Sequence, residues 1–208
     1  MRIDLIIDTV CPWCYIGKKR LDKALESRPA ITAKPNWKPF LLNPELPNCG
    51  IDRTAYLIKK FGTKARINHF YSAISEAGQS VEIDFAFGRI NKTPNSVNSH
   101  RLIRYSSLYN LANVVIESLF TEFFVNGQDI GDIGVLVEIG ASHGINANDL
   151  LVYLESDKDV QLIHDENNKA HRLGIDGVPS YSFNNKFLIS GAQDHIVLSR
   201  MLDVALSN

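Results

Sequence analysis

Two cysteines define the chemistry to be explained. Cys11-Pro12-Trp13-Cys14 follows the apolar run Ile3-Asp4-Leu5-Ile6-Ile7-Asp8 and precedes a stretch, 15–27, with helical spacing. A helix start carries unpaired N–H groups and the positive end of the helix dipole, and both favour an anion. A thiolate is such an anion and is the reactive form of cysteine, so Cys11 reads as the nucleophile. Cys14 lies one helical turn further on, within reach of Cys11 for a disulfide. Pro12 suits the first turn because it has no N–H to lose. A redox dithiol is the chemistry this placement fits best. Half of a zinc site would need two more ligands. The only other cysteine is Cys49, and the six histidines form no tight pair, so no metal is expected. An inert disulfide, or two core thiols, would have no need of a helix start.

The elements that must hold the dithiol follow from the pattern around it. Residues 3–9 read as a strand and 12–27 as a helix, with Leu21, Ala24 and Leu25 on its inward face. Residues 31–40 read as a second strand, with Ile31, Ala33 and Trp37 on one parity. Pro35 and Pro39 place that strand at a sheet edge. The order gives a parallel βαβ unit. A proline-bearing loop at 42–50 leads into more than a hundred residues of helical pattern. Asp52 and Thr63 are candidate N-caps, Gly62 and Gly78 candidate stops, and 81–88 a loop or short extended piece. Further helices are predicted at about 96–109, 112–125, 133–142, 149–154 and 160–173. Strand pattern returns at 180–183 and 186–190 around Asn184-Asn185, residues that tolerate the positive φ of a hairpin turn. A last helix spans about 194–205.

Composition narrows the function classes. The chain has 208 residues, 45% hydrophobic and 22% charged, with formal net charge −1. That is ordinary for a globular protein. No basic patch supports a nucleic-acid role, and no apolar run approaches the length of a membrane span. No leader pattern precedes the first strand, so a cytoplasmic location is expected. In that setting three cysteines suggest a catalytic pair rather than a disulfide framework.

The order β-α-β, helices, then α-β-β-α is that of an α/β thioredoxin fold with an all-helical insertion. The chain resembles the DsbA family of thiol–disulfide oxidoreductases, and most of all its FrnE-type branch. The strand followed by Cys11-Pro12-Trp13-Cys14-Tyr15-Ile16-Gly17 carries most of the likeness. Gly177-Val178-Pro179 before a strand resembles the family's cis-proline loop. Ser190-Gly191-Ala192-Gln193, and Asn95 with His100-Arg101-Leu102, are weaker matches. The resemblance implies a thioredoxin-like domain made of 1–42 and 166–208, with 43–165 as the insertion. It implies Cys11 and Cys14 as catalytic residues, and Pro12, Trp13, Val178 and Pro179 as the residues facing substrate. It also implies a cis Val178–Pro179 bond against the dithiol, offering the Val178 backbone to a substrate strand; without the resemblance, Pro179 reads as an ordinary trans loop proline.

The activity implied is oxidation, reduction or isomerisation of disulfides in proteins or small thiols, with no cofactor beyond glutathione as a redox partner. Kappa-class glutathione transferases and 2-hydroxychromene-2-carboxylate isomerases share the insertion but typically carry serine at the position of Cys11. A glutathione-dependent transferase or isomerase, and a redox-regulated chaperone-like binding protein, are the alternative functions. Monomer and homodimer are both open. DsbA carries histidine before its second cysteine, where this chain has uncharged Trp13. The expected potential is therefore more reducing than that of DsbA, between roughly −150 and −270 mV.

Several residues keep two readings. The family's buried acid, six residues before the nucleophile, is replaced by Leu5. Asp8 then reads either as an aid to proton transfer from Cys14 or as an exposed strand-end aspartate. Cys49 reads as a bystander or as a sensing thiol. Trp37 reads as core. Phe70, Tyr71, Phe120, Phe123 and Phe124 read as the core of the insertion or as a substrate face.

Overall fold

The computed structural model describes residues 1–207. The first strand, β1, is Arg2–Ile7, and all of it but Arg2 is buried. It stops two residues short of the predicted end because the chain turns, with the Cys11 N–H donating to the Asp8 carbonyl at 3.1 Å. Helix α1 follows at Pro12–Glu26. Strand β2 is Lys34–Pro39, shorter than predicted, since the Ile31 N–H is already committed to a turn with the Arg28 carbonyl at 2.8 Å. It runs parallel to β1, with Leu5 opposite Trp37. As predicted, β2 is an edge strand, where a proline's missing N–H leaves no neighbour unpaired.

The middle of the chain is helical: α2 at Arg53–Phe61, α3 at Lys64–Gln79, α4 at Val97–Ser107, α5 at Ala112–Phe124, α6 at Ile133–Ser142, α7 at Ala147–Glu155 and α8 at Val160–Arg172. Asp52 and Thr63 cap α2 and α3 through their side chains. Gly78 is not the predicted stop. It is buried inside α3, where an added Cβ would come within 2.5 Å of the Phe85 ring, so its smallness serves packing. Residues 81–86 form turns and loop, and Phe87–Arg89 closes them with a single 3-10 turn. Two short strands escaped prediction, β3 at Ile51–Asp52 and β4 at Lys92–Thr93, which pair antiparallel. Two residues are too few to show an alternating pattern.

Phe120, Phe123 and Phe124 of α5 are buried in the main core, while Phe70 and Tyr71 are only partly buried against it. Each fully buried aromatic contributes about 1.5–3 kcal/mol. Trp37 is likewise only half-buried. The division expected at 165/166 falls inside α8, which packs on both β2 and α4.

The chain returns to the sheet as β5, Ser180–Phe183, and β6, Phe187–Ser190, and ends in α9, His195–Leu206. Asn184 and Asn185 both have positive φ, as the hairpin required. β6 starts one residue late because the Lys186 N–H closes the turn onto the Phe183 carbonyl. The sheet order is β2-β1-β5-β6, with β5 antiparallel to both neighbours. The strand that carries the dithiol is thus central. Helix α1 packs on α9 and reaches the insertion through α3 and α5. Its Lys18, only 3% exposed, pairs with Asp22 and with Glu117 of α5, each at 2.7 Å. This is an α/β thioredoxin fold carrying a helical insertion.

Candidate active site

Cys11 is the N-cap of α1, with extended backbone (φ −97°, ψ 112°), and Pro12 opens the helix. The Cys14 N–H donates to the Cys11 carbonyl at 3.0 Å, which places the two thiols on the same first turn. Both cysteines are free thiols. Cys14 is fully buried and Cys11 is 5% exposed, so Cys11 is the one that meets solvent. Burial pushes the Cys14 thiol well above its ordinary pKa. The hydrogen bond and charge of Cys11 add to that, and so does the Asp8 carboxylate, while the Asp8 backbone works the other way.

The loop before β5 meets this turn from across the sheet. The Val178–Pro179 bond is cis, as the resemblance implied. The Cys11 thiol points at the Val178 carbonyl oxygen, 3.7 Å away. Pro179 is buried against α1 at Gly17, where an added Cβ would lie 2.7 Å from its ring. Gly17 is therefore demanded by close approach rather than by backbone conformation. Trp13 is half-buried against the main core and Pro12 is buried. The structure thus brings Cys11 to Val178, and Pro179 to the helix one turn past Cys14.

Asp8 is not an exposed strand end. It is fully buried, because residues 41–42 and α4 cover the end of β1. Its carboxylate accepts the Leu42 N–H at 2.7 Å and the Val10 N–H at 3.4 Å, and lies 3.5 Å from His100 Nε2. Beside it the Thr9 hydroxyl meets that of Ser99 at 2.7 Å. Ser99 and His100 thus pin the strand leading to the dithiol against α4. The next residue, Arg101, is 1% exposed and donates to the carbonyls of Tyr153, Leu154, Ser156 and Lys158, gathering the end of α7. Cys49 is exposed, its thiol turned to the Gly50 carbonyl.

One residue of the site escaped sequence reasoning. Tyr181 in β5 is fully buried, directly opposite Leu5 of β1. Its hydroxyl has no hydrogen-bond partner among the described residues. The signal available was the pairing of a Ser-Tyr-Ser-Phe strand with β1, which a sequence reveals only once the register is known. A cleft of about 400 Å3 lies elsewhere, between β2, α4 and α8, and includes Trp37, Tyr105 and Tyr153 in its walls.

Among the described residues no helix is long and apolar enough to cross a membrane. The chain is 23% identical over 156 residues to the uncharacterized protein YwbO of Bacillus subtilis (strain 168), an alignment covering 75% of this chain and 72% of that one. Its fold matches a probable DsbA oxidoreductase of Streptomyces coelicolor with TM-score 0.91 at 21% identity, covering 100% of this chain and 91% of the other. It also matches the cytosolic disulfide reductase DsbM of Pseudomonas aeruginosa with GSH, with TM-score 0.71 at 14% identity and 100% of both chains covered. The model of the DSBA-like thioredoxin domain matches residues 2–203, nearly the whole sequence, and the chain therefore belongs to the DsbA-like thioredoxin family.

Proposed function

We propose that the protein is a thiol–disulfide oxidoreductase in which Cys11 exchanges with substrate and Cys14 resolves the intermediate. The observation that carries this is the asymmetry of the pair. Cys11 caps α1 and keeps a slight exposure of 5%, while Cys14 is fully buried one turn inside. In the reductive direction the Cys11 thiolate attacks a substrate disulfide, forming a mixed disulfide and releasing one substrate thiolate. Cys14 then attacks Cys11 Sγ, closing the Cys11–Cys14 disulfide and releasing the second. Oxidation of a substrate dithiol is the same sequence reversed.

We assign substrate contact to Val178 and Pro179, whose loop meets Cys11, and to Pro12 and Trp13, the two residues between the cysteines. Protein disulfides and small thiols are the substrates that fit. Glutathione as the redox partner, and a cytoplasmic location, draw support from the likeness to a cytosolic reductase whose structure holds GSH. Presence of both thiols favours redox exchange over the glutathione-dependent isomerase chemistry of serine-bearing relatives.

The test is reduction of insulin together with refolding of a reduced, unfolded disulfide protein. The intact chain should turn over in at least one assay, and Cys11→Ser should abolish both. Activity in Cys11→Ser equal to the parent would refute the proposal.

A further inference from the structure

The position six residues before Cys11 holds Leu5, fully buried, so β1 offers no acid there to assist Cys14. Its antiparallel neighbour is Tyr181. Directly opposed residues project to the same face of a sheet, so Tyr181 shares the face of Leu5. The hydroxyl reaches α1 at Gly17, where an added Cβ would collide with it. Gly17 is three residues beyond Cys14, one turn along the same face of α1. A buried hydroxyl without a partner is expensive to keep, about 1–3 kcal/mol, and asks for an explanation. Burial holds the Tyr181 phenol far above its ordinary pKa. The charges of Cys14 and Cys11 add to this and Arg20 opposes it, so the hydroxyl lies within the electrostatic reach of both thiols.

We infer that the Tyr181 hydroxyl is the hydrogen-bond donor that stabilises the Cys14 thiolate during the resolving step. This rests on the dithiol reading proposed above. The hydroxyl has no partner among the described residues, the Cys14 sulfur included; a thiolate formed at Cys14, one helical turn from Gly17, supplies the charge that draws the hydroxyl to it. Tyr181 keeps its own proton throughout, as a phenol so strongly protonated must. In the step itself the Cys11–Cys14 bond forms as the bond from Cys11 to substrate sulfur breaks. The electron pair leaves on the substrate sulfur, and the proton given up by Cys14 ends there, so a thiol departs. Asp8 is not placed for the same task. Its carboxylate is occupied by two N–H groups with His100 alongside, and its charge disfavours the thiolate. The titratable and charged groups acting on Cys14 are thus Cys11 and Asp8, with His100 behind Asp8, and those acting on Tyr181 are the two cysteines and Arg20 of α1.

The experiment follows the reduced protein with an aromatic disulfide that releases a coloured thiolate, in a Cys49→Ala background. A first release reports attack by Cys11 and a second reports resolution by Cys14. Tyr181→Phe removes only an atom without a partner, so the fold should persist. It should leave the first release within about twofold of the parent and slow the second roughly tenfold, as loss of a hydrogen bond to a charged group does. The pH midpoint of the second release should rise by about one pH unit. A second measurement is thiolate absorbance of Cys14 in a Cys11→Ser background, where adding Tyr181→Phe should raise the midpoint equally. An unchanged second release, or an unchanged Cys14 midpoint, overturns the inference. Absence of a two-step release in the parent strikes the dithiol reading instead.

Discussion

The Cys11 thiol lies 3.7 Å from the Val178 carbonyl oxygen, although 167 positions separate the two residues in the chain. The contact exists because β5 pairs antiparallel with β1, the strand that ends just before the dithiol. The Val178 backbone therefore faces Cys11, the less deeply buried thiol of the pair.

That asymmetry predicts the order of alkylation. Cys11 should react with iodoacetamide well before Cys14, whose burial both blocks access and raises its thiol pKa. Exposed Cys49 should also be labelled early. Peptide mapping after partial labelling at neutral pH reads this directly, and Cys14 labelled ahead of Cys11 would reverse the assigned roles.

Trp13 predicts the redox poise. It carries no charge to stabilise a thiolate, so the potential should fall between roughly −150 and −270 mV, more reducing than about −120 mV for DsbA. Equilibration in a series of glutathione buffers measures it. Trp13→His should move the value toward that of DsbA; no movement would take the control of potential away from this position.

How much of this was legible beforehand depended on the range of the interaction. The N-cap placement of Cys11 is local, and the sequence reveals it through a strand, a proline and a helix in succession. The hairpin at Asn184-Asn185 is local too, since the two asparagines announce the turn. Asp8 was not legible, because its burial comes from Leu42 and His100, which the chain brings there only after folding. Tyr181 needed the register of β5 on β1, and a shift of one residue would have put it on the other face. Gly78 was misread as a helix stop because the Phe85 ring that requires its small size lies beyond the end of α3.

Glu117 predicts an acid-sensitive joint between α1 and the insertion. Burial works against its charge, but Lys18 and Lys19 prevail and hold its carboxyl below the usual range. A carboxyl depressed in the folded state contributes stability above its unfolded pKa of about 4.3, and loses it as pH falls through the lower folded value. Glu117→Gln should therefore cost about 1–2 kcal/mol in urea unfolding at pH 7, because it removes a charged partner of buried Lys18. The gap from the parent should narrow below about pH 4. An equal gap at pH 7 and pH 3 would contradict the ion-pair account.

Arg101 predicts a structural loss distinct from a catalytic one. Its guanidinium satisfies carbonyls around the end of α7 and lies over the Tyr153 ring, 4.9 Å from its centre. Arg101→Leu leaves those groups buried and unpaired and should cost about 3 kcal/mol or more. Lysine cannot reproduce the fork and should rescue only part of it. Chemical denaturation gives both values, and a loss below about 1 kcal/mol would show that the carbonyls find other partners.

The most direct test of the central claim is trapping of the mixed disulfide. Reduced Cys14→Ser protein, carrying Cys49→Ala, is mixed with oxidised glutathione, and intact mass is followed with time. The account predicts a stable adduct of one glutathione on Cys11, released by added dithiol, where the protein with both thiols of the pair passes through the adduct to its own disulfide. Cys11→Ser should form no comparable adduct under the same conditions. A stable adduct on Cys14 in Cys11→Ser, with none on Cys11 in Cys14→Ser, would contradict the account.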